Sequence, residues 1–74
     1  MASEMMLDPA ERRALALLAA LPAGKTTEEV MFGLGYKPPL IAELADAGLV
    51  RTTSERLTWV HVTEAGRRAL VSQP

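Results

Sequence analysis

Three short stretches of this 74-residue sequence carry residue types that could do chemistry. The first is "AALPAGKT", Ala19 to Thr26, in which Gly24, Lys25 and Thr26 occupy the key places of a permissive phosphate-loop pattern. Such a loop grips phosphate when it follows a buried strand and opens a helix, so that its amides and the helix dipole meet the anion. Here the preceding residues read as a helix, and too little chain remains for a nucleotide-binding sheet. A solvated loop with a helix cap is expected instead. The second is His61, the sole histidine in a chain without cysteine, so a metal would have carboxylates alone to complete its shell. No nucleophile or acid partner is readable around it, and the expected role is a strand histidine at the edge of a sheet. The third, Glu28-Glu29, suits the first turn of a helix, where the dipole favours negative charge. The expectation is a protein that is not an enzyme and holds neither metal nor cofactor.

Charge placement points elsewhere. The net charge is −1, which offers no overall attraction to nucleic acid. Residues 1–24 sum to −1 and residues 25–48 to −2, whereas residues 49–74, with four Arg against two acids, sum to +2. Within that last third, Arg51 and Arg56 flank Thr52, Thr53, Ser54 and Glu55, a hydroxyl-rich tip suited to touching phosphates or placing an arginine in a minor groove. Arg67 and Arg68 could add phosphate contacts, and Lys37 is the one basic residue near the segment 38–47.

The elements that must position these residues follow from periodicity and punctuation. The length allows one domain, and the composition, 49% hydrophobic and 23% charged, is that of a folded globule. The longest apolar run, Ala14 to Leu21, is too short to span a bilayer, and "MASEMMLDPAERR" lacks the pattern of a secretory signal. A soluble cytoplasmic protein without membrane contact is expected. After an extension over 1–7, Asp8-Pro9 with Glu11 opens a helix over 8–21, with Leu15, Leu18 and the alanines on its inner face and Leu17 and Leu21 widening it. Thr26 and Glu29 have capping-box spacing for a second helix over 26–34, with Val30, Met31 and Leu34 apolar and Gly35 as its stop. A third helix over 38–47 starts on two prolines, turns Leu40, Ile41, Leu44 and Ala45 inward and stops at Gly48. Residues 49–62 read as a hairpin, and Thr63 caps a last helix over 63–72. The predicted fold is mainly α with a β-hairpin, one domain over 1–74 in the order α-α-α-β-β-α.

This order, with "ELADAGLV" leading into a hairpin that ends in "VTEAGRRAL", resembles the winged-helix DNA-binding domain, and within it the MarR-type transcriptional regulators. Leu44, Gly48, Leu49 and Val50 match the end of their recognition helix, and Val62, Thr63, Gly66 and Arg67 match the segment after their wing. The resemblance covers residues 9–72. It implies a helix-turn-helix with residues 38–47 in the recognition position and duplex DNA as partner, contacted by Lys37, Arg51, Thr52, Thr53, Ser54 and Arg56. Two departures stand beside it. The chain has no room for the long dimerisation helices of those regulators, and its third helix begins Lys37-Pro38-Pro39 and carries Glu43 and Asp46 outward.

In period two, Thr58, Val60 and Val62 share one face of the hairpin and Leu57, Trp59 and His61 the other. The resemblance puts the valines on the core. Trp59 is then either covered by Met5, Met6 and Leu7, as suits the single Trp of a small domain, or exposed with Leu57 as a partner patch. Two functional expectations follow: a small DNA-binding regulator with weak or partner-assisted binding, or a winged-helix protein-interaction module, as homodimer or with another protein, that does not read DNA.

Overall fold

The computed structural model describes residues 7–72. Their order is α1 (Pro9–Ala20), β1 (Lys25–Thr27), α2 (Glu28–Gly33), α3 (Pro38–Asp46), β2 (Val50–Ser54), β3 (Thr58–Val62) and α4 (Glu64–Ser72). The described residues form four helices and a three-stranded antiparallel sheet with strand order β1-β3-β2, a small mixed α/β domain.

Local chemistry accounts for most boundaries. Pro9 supplies a preset φ at the first position of α1, and the Glu11 carboxylate accepts a hydrogen bond from the Asp8 amide at 3.0 Å. The helix ends at Leu21, ahead of Pro22, whose ring disfavours helical backbone in the residue before it. Helices α2 and α3 end alike. The Gly35 amide donates to the Phe32 carbonyl and the Tyr36 amide to that of Met31, both at 3.0 Å, while Gly48 donates to Ala45 and Leu49 to Leu44. Each glycine sits in the left-handed region, φ +97° and +77°, where a Cβ would be strained, so both stops require glycine.

The predicted order needs one correction. Lys25–Thr27 is a strand, so the order is α-β-α-α-β-β-α. Three residues without an apolar alternation carry no strand signal of their own; they are held by pairing with β3, Thr26 opposite Val60 and Thr27 opposite Trp59. The cap of α2 moves with it. Thr27, not Thr26, accepts from the Val30 amide at 3.3 Å, and the helix starts two residues later than expected.

The core is Ala14, Leu15 and Leu18 of α1, Met31 of α2, Ile41 and Leu44 of α3, Leu49, Val50 of β2 and Val60 of β3, with no buried polar group among the described residues. Leu17, Leu21, Leu40, Ala45 and Val62 pack against it as expected, and Leu7 does so too. On α2 only Met31 reaches the core, whereas Val30 and the C-cap Leu34, which share the expected apolar face, are 48% and 57% exposed. A helix of six residues turns fewer than two times and offers the core one side chain's width.

The two motifs that carried the resemblance meet at one junction. The Thr63 hydroxyl donates to the Gly48 carbonyl at 2.7 Å and accepts from the Gly66 amide at 3.0 Å, and the Thr63 amide donates to the Leu49 carbonyl at 3.1 Å. Gly66 lies so close to Leu49 that a Cβ there would run into the Leu49 carbonyl oxygen and come within 2.9 Å of Val62 Cγ2. Gly66→Ala should therefore destabilise the fold by about 1–3 kcal/mol, the usual range for overpacking a filled site. Gly33→Ala, with nothing within 4 Å of its new Cβ, should be neutral or stabilising by less than about 1 kcal/mol. Thermal unfolding of the two variants side by side checks both.

Candidate nucleic-acid interface

Burying Val60 decides where every other hairpin side chain goes. Successive strand residues point to opposite faces and directly paired residues point to the same one. With Val60 fully buried, Trp59 and His61 must face outward, as expected, but His61 lies on the central strand rather than at an edge, because β1 pairs along the far side of β3. Register then lays two rows across the outer face. Lys25, His61 and Arg51 form one, and Thr27, Trp59 and Thr53 form the next.

Within this face Thr53 Oγ1 and His61 Nε2 are hydrogen-bonded at 2.9 Å, and Lys25 Nζ stands 4.9 Å from the centre of the Trp59 ring, a cation–π distance. Arg51 is exposed, while Lys25, Trp59 and His61 are half-buried. Partial desolvation, with the Arg51 and then the Lys25 cation close by, holds the His61 pKa below its ordinary value, against a smaller opposing pull from Glu55. Among the described residues no carboxylate is ion-paired with Lys25 or Arg51.

The residues expected to meet DNA are divided among several places. Arg51 and Thr53 share the outer face; Thr52 and Ser54 alternate to the opposite one, and Ser54 Oγ lies 3.4 Å from Thr58 Oγ1. Arg56 lies in the hairpin turn and, with Leu57 and Thr58, lines an open recess against Thr27, Glu28 and Glu29. Lys37 is the N-cap residue of α3, exposed and outside the sheet. The outward side of α3 exposes Pro38, Pro39, Ala42, Glu43 and Asp46, so Lys37 is outnumbered by acids there. Arg67 is exposed and lies along the surface, its Nη1 donating to the Ala19 carbonyl at 3.4 Å near the end of α1, and Arg68 pairs with Glu64 at 3.5 Å on the exposed side of α4.

The proposed Leu57–Trp59 patch is split as well. Leu57 is exposed in the turn, whereas Trp59 is flanked by Thr27, Thr53 and Lys25. Of the residues expected to cover Trp59, Leu7 packs against the core cluster, and Met5 and Met6 lie outside the described residues. The phosphate-loop pattern also takes a different form. Gly24, at φ +68°, accepts from the Val62 amide through its carbonyl at 2.9 Å, and Lys25 and Thr26 enter β1 rather than a helix N-terminus. Lys25 was thereby missed as a member of the face. Its signal is the glycine followed by two β-branched threonines just before an acidic helix start.

No helix among the described residues is long and apolar enough to cross a membrane. Compared with protein-family models, curated proteins and solved structures, the chain matches none.

Because folding lowers the His61 pKa, the folded state favours the neutral ring. That contribution is present above the ordinary histidine value and is lost as pH falls below it. Moving from about pH 7.5 to about pH 5.5, one unit either side of that value, should lower the melting temperature of the wild type more than that of His61→Gln, which lacks the titrating ring. Thermal unfolding followed by circular dichroism at the two pH values reads the difference.

Proposed function

We propose that this chain is a small winged-helix DNA-binding protein, a cytoplasmic transcriptional regulator of MarR-like kind that docks on duplex DNA mainly through its hairpin. The observation that carries the reading is the charged row of the sheet. Lys25 and Arg51 flank His61 on one face, without carboxylate partners among the described residues, beside a tip that exposes Arg56. The arrangement of α3 before the hairpin, tied to α4 by Thr63, supports the winged-helix assignment. The same reading gives α3 a minor part. Pro38 and Pro39 have no amide hydrogen to offer a phosphate, the Leu40 amide is engaged by the Lys37 carbonyl at 3.0 Å, and Glu43 and Asp46 repel the backbone.

Few phosphate contacts mean weak binding with a shallow salt slope, strengthened by a second copy or a partner. Fluorescence anisotropy with a labelled duplex at low salt should show association with a salt slope of about −2 to −3, as for about three neutralised phosphates. Arg51→Ala should reduce the slope by about 1, and Lys37→Ala should change it less. Absence of binding to any duplex at low salt rejects the reading.

One observation favours the second reading, a protein-interaction module. Val30, Phe32 and Leu34 on and just after α2 are exposed, as is Leu57 in the turn. If they mediate self-association, light scattering should show a mass that rises with concentration and returns to one chain in Leu34→Ser. A single-chain mass at all concentrations counts against a homodimer.

A further inference from the structure

We propose that the outer sheet face is a site for single-stranded nucleic acid, in which the Lys25–His61–Arg51 row takes phosphate and the Trp59 ring takes an unpaired base. The inference rests on the reading that the chain binds nucleic acid, and it names which form and which atoms. Three facts support it together. A row of two cations and an imidazole crosses three strands, spanning about 10 Å at ordinary strand spacing. The chain's single Trp lies in the adjoining row of the same face, between Thr27 and Thr53, and is partly exposed. The Lys25 ammonium already sits 4.9 Å from the ring centre, so cation and π-face act at one place.

Single strands are held by this combination, a positive groove for the backbone and aromatic rings on which bases stack regardless of sequence. A duplex base has both faces occupied by its neighbours in the stack, and a ring set in a sheet cannot reach them. The Lys25 ammonium covers the ring that a base would use, so binding is an exchange. The ammonium moves to the phosphate and the base takes its place over the indole. Charge complementarity selects the occupant. Lys25 from β1 and Arg51 from β2 face His61, and Glu55 in the hairpin turn is the acid that acts on it in opposition. A phosphodiester against this row relieves the mutual repulsion of its cations and favours protonated His61, so affinity should rise as pH falls.

The test uses the intrinsic emission of Trp59 in the full chain. An oligothymidylate of about 12 nucleotides, within the site size of one small binding domain, is titrated at low salt. A duplex of equal length, inorganic polyphosphate and oligoglutamate are titrated in parallel. The expected result is quenching of Trp59 by the single strand alone, with polyphosphate competing for it without quenching. Trp59→Leu should lower single-strand affinity, read by anisotropy of the labelled oligomer, by about fivefold or more, and Trp59→Phe should retain most of it. Lys25→Gln and Arg51→Gln should each weaken it, and His61→Gln should remove the gain between about pH 7.5 and pH 5.5. Circular dichroism confirms that each variant is folded; if Trp59→Leu is not, the quenching and the Lys25→Gln and Arg51→Gln affinities decide.

Duplex binding with no association of the single strand overturns this inference and leaves the duplex reading standing. Absence of binding to both overturns the two together. Equal binding of oligoglutamate and oligothymidylate without quenching reduces the face to an unspecific cationic surface and also overturns the inference.

Discussion

The hydroxyl of Thr63 is the point on which the rest of the domain depends. It donates to the carbonyl of Gly48, where α3 has ended, and accepts from the amide of Gly66, where α4 begins, while its own amide donates to Leu49 just before β2. Four elements are thereby bound within a few residues: the end of α3, the start of β2, the end of β3 and the first turn of α4. Next to this junction Val50 pairs with Val62, which sets the register of the hairpin. A slip of one residue would turn every hairpin side chain to the opposite face, bringing Trp59 and His61 into the core and Val60 into water. No polar or charged side chain is buried among the described residues, so no side chain inside would partner His61. Core packing and the junction therefore specify the same register.

Arg67 serves the same end at a different place. Its guanidinium reaches Ala19 at the C-terminal end of α1, where unpaired carbonyls concentrate negative partial charge, and lies against Gly24, whose lack of a side chain leaves the space. Arg67 thus bridges α4 and the end of α1 while remaining exposed.

Much of the framework is legible in the sequence. Asp8-Pro9, Gly35, Gly48 and Thr63 are residues whose backbone or side-chain chemistry marks a helix end, and each marks one. The inward faces of α1 and α3 follow from Leu and Ala spacing because those helices are long enough to show a period. The failures lie where the chain is short. A strand of three residues has no period, and its two threonines serve equally as cap or as strand, so β1 could be seen only through its pairing with β3. That single omission propagated. Without β1, His61 reads as an edge residue, Lys25 as part of a loop, and the cationic row across the sheet does not exist. Gly24, Lys25 and Thr26 match the pattern of a phosphate loop that the fold does not build. Lys25 enters the candidate site by a different route, strand register.

The core packing and the surface charge of the hairpin are consequences of one alternation. Val60 and Val62 are drawn to the core by their apolar surface, a gain of about 1.5–3 kcal/mol for a fully buried side chain, and the pleat then lifts Trp59 and His61 to the outside whatever their own preference. Helix α3 is under the opposite regime. Its inward residues Ile41 and Leu44 fill the core; of its outward residues Pro38 presets the first turn, whereas Glu43 and Asp46 answer no packing demand. A face that core packing does not constrain is free to take whatever charge its function requires, and this one carries Glu43 and Asp46. The sheet face, equally unconstrained by the core, carries Lys25 and Arg51 instead. Two surfaces of one small scaffold, each free of packing duty, thus hold opposite charge. That opposition, more than the shape of the fold, favours the sheet over α3 as the surface for an anionic partner.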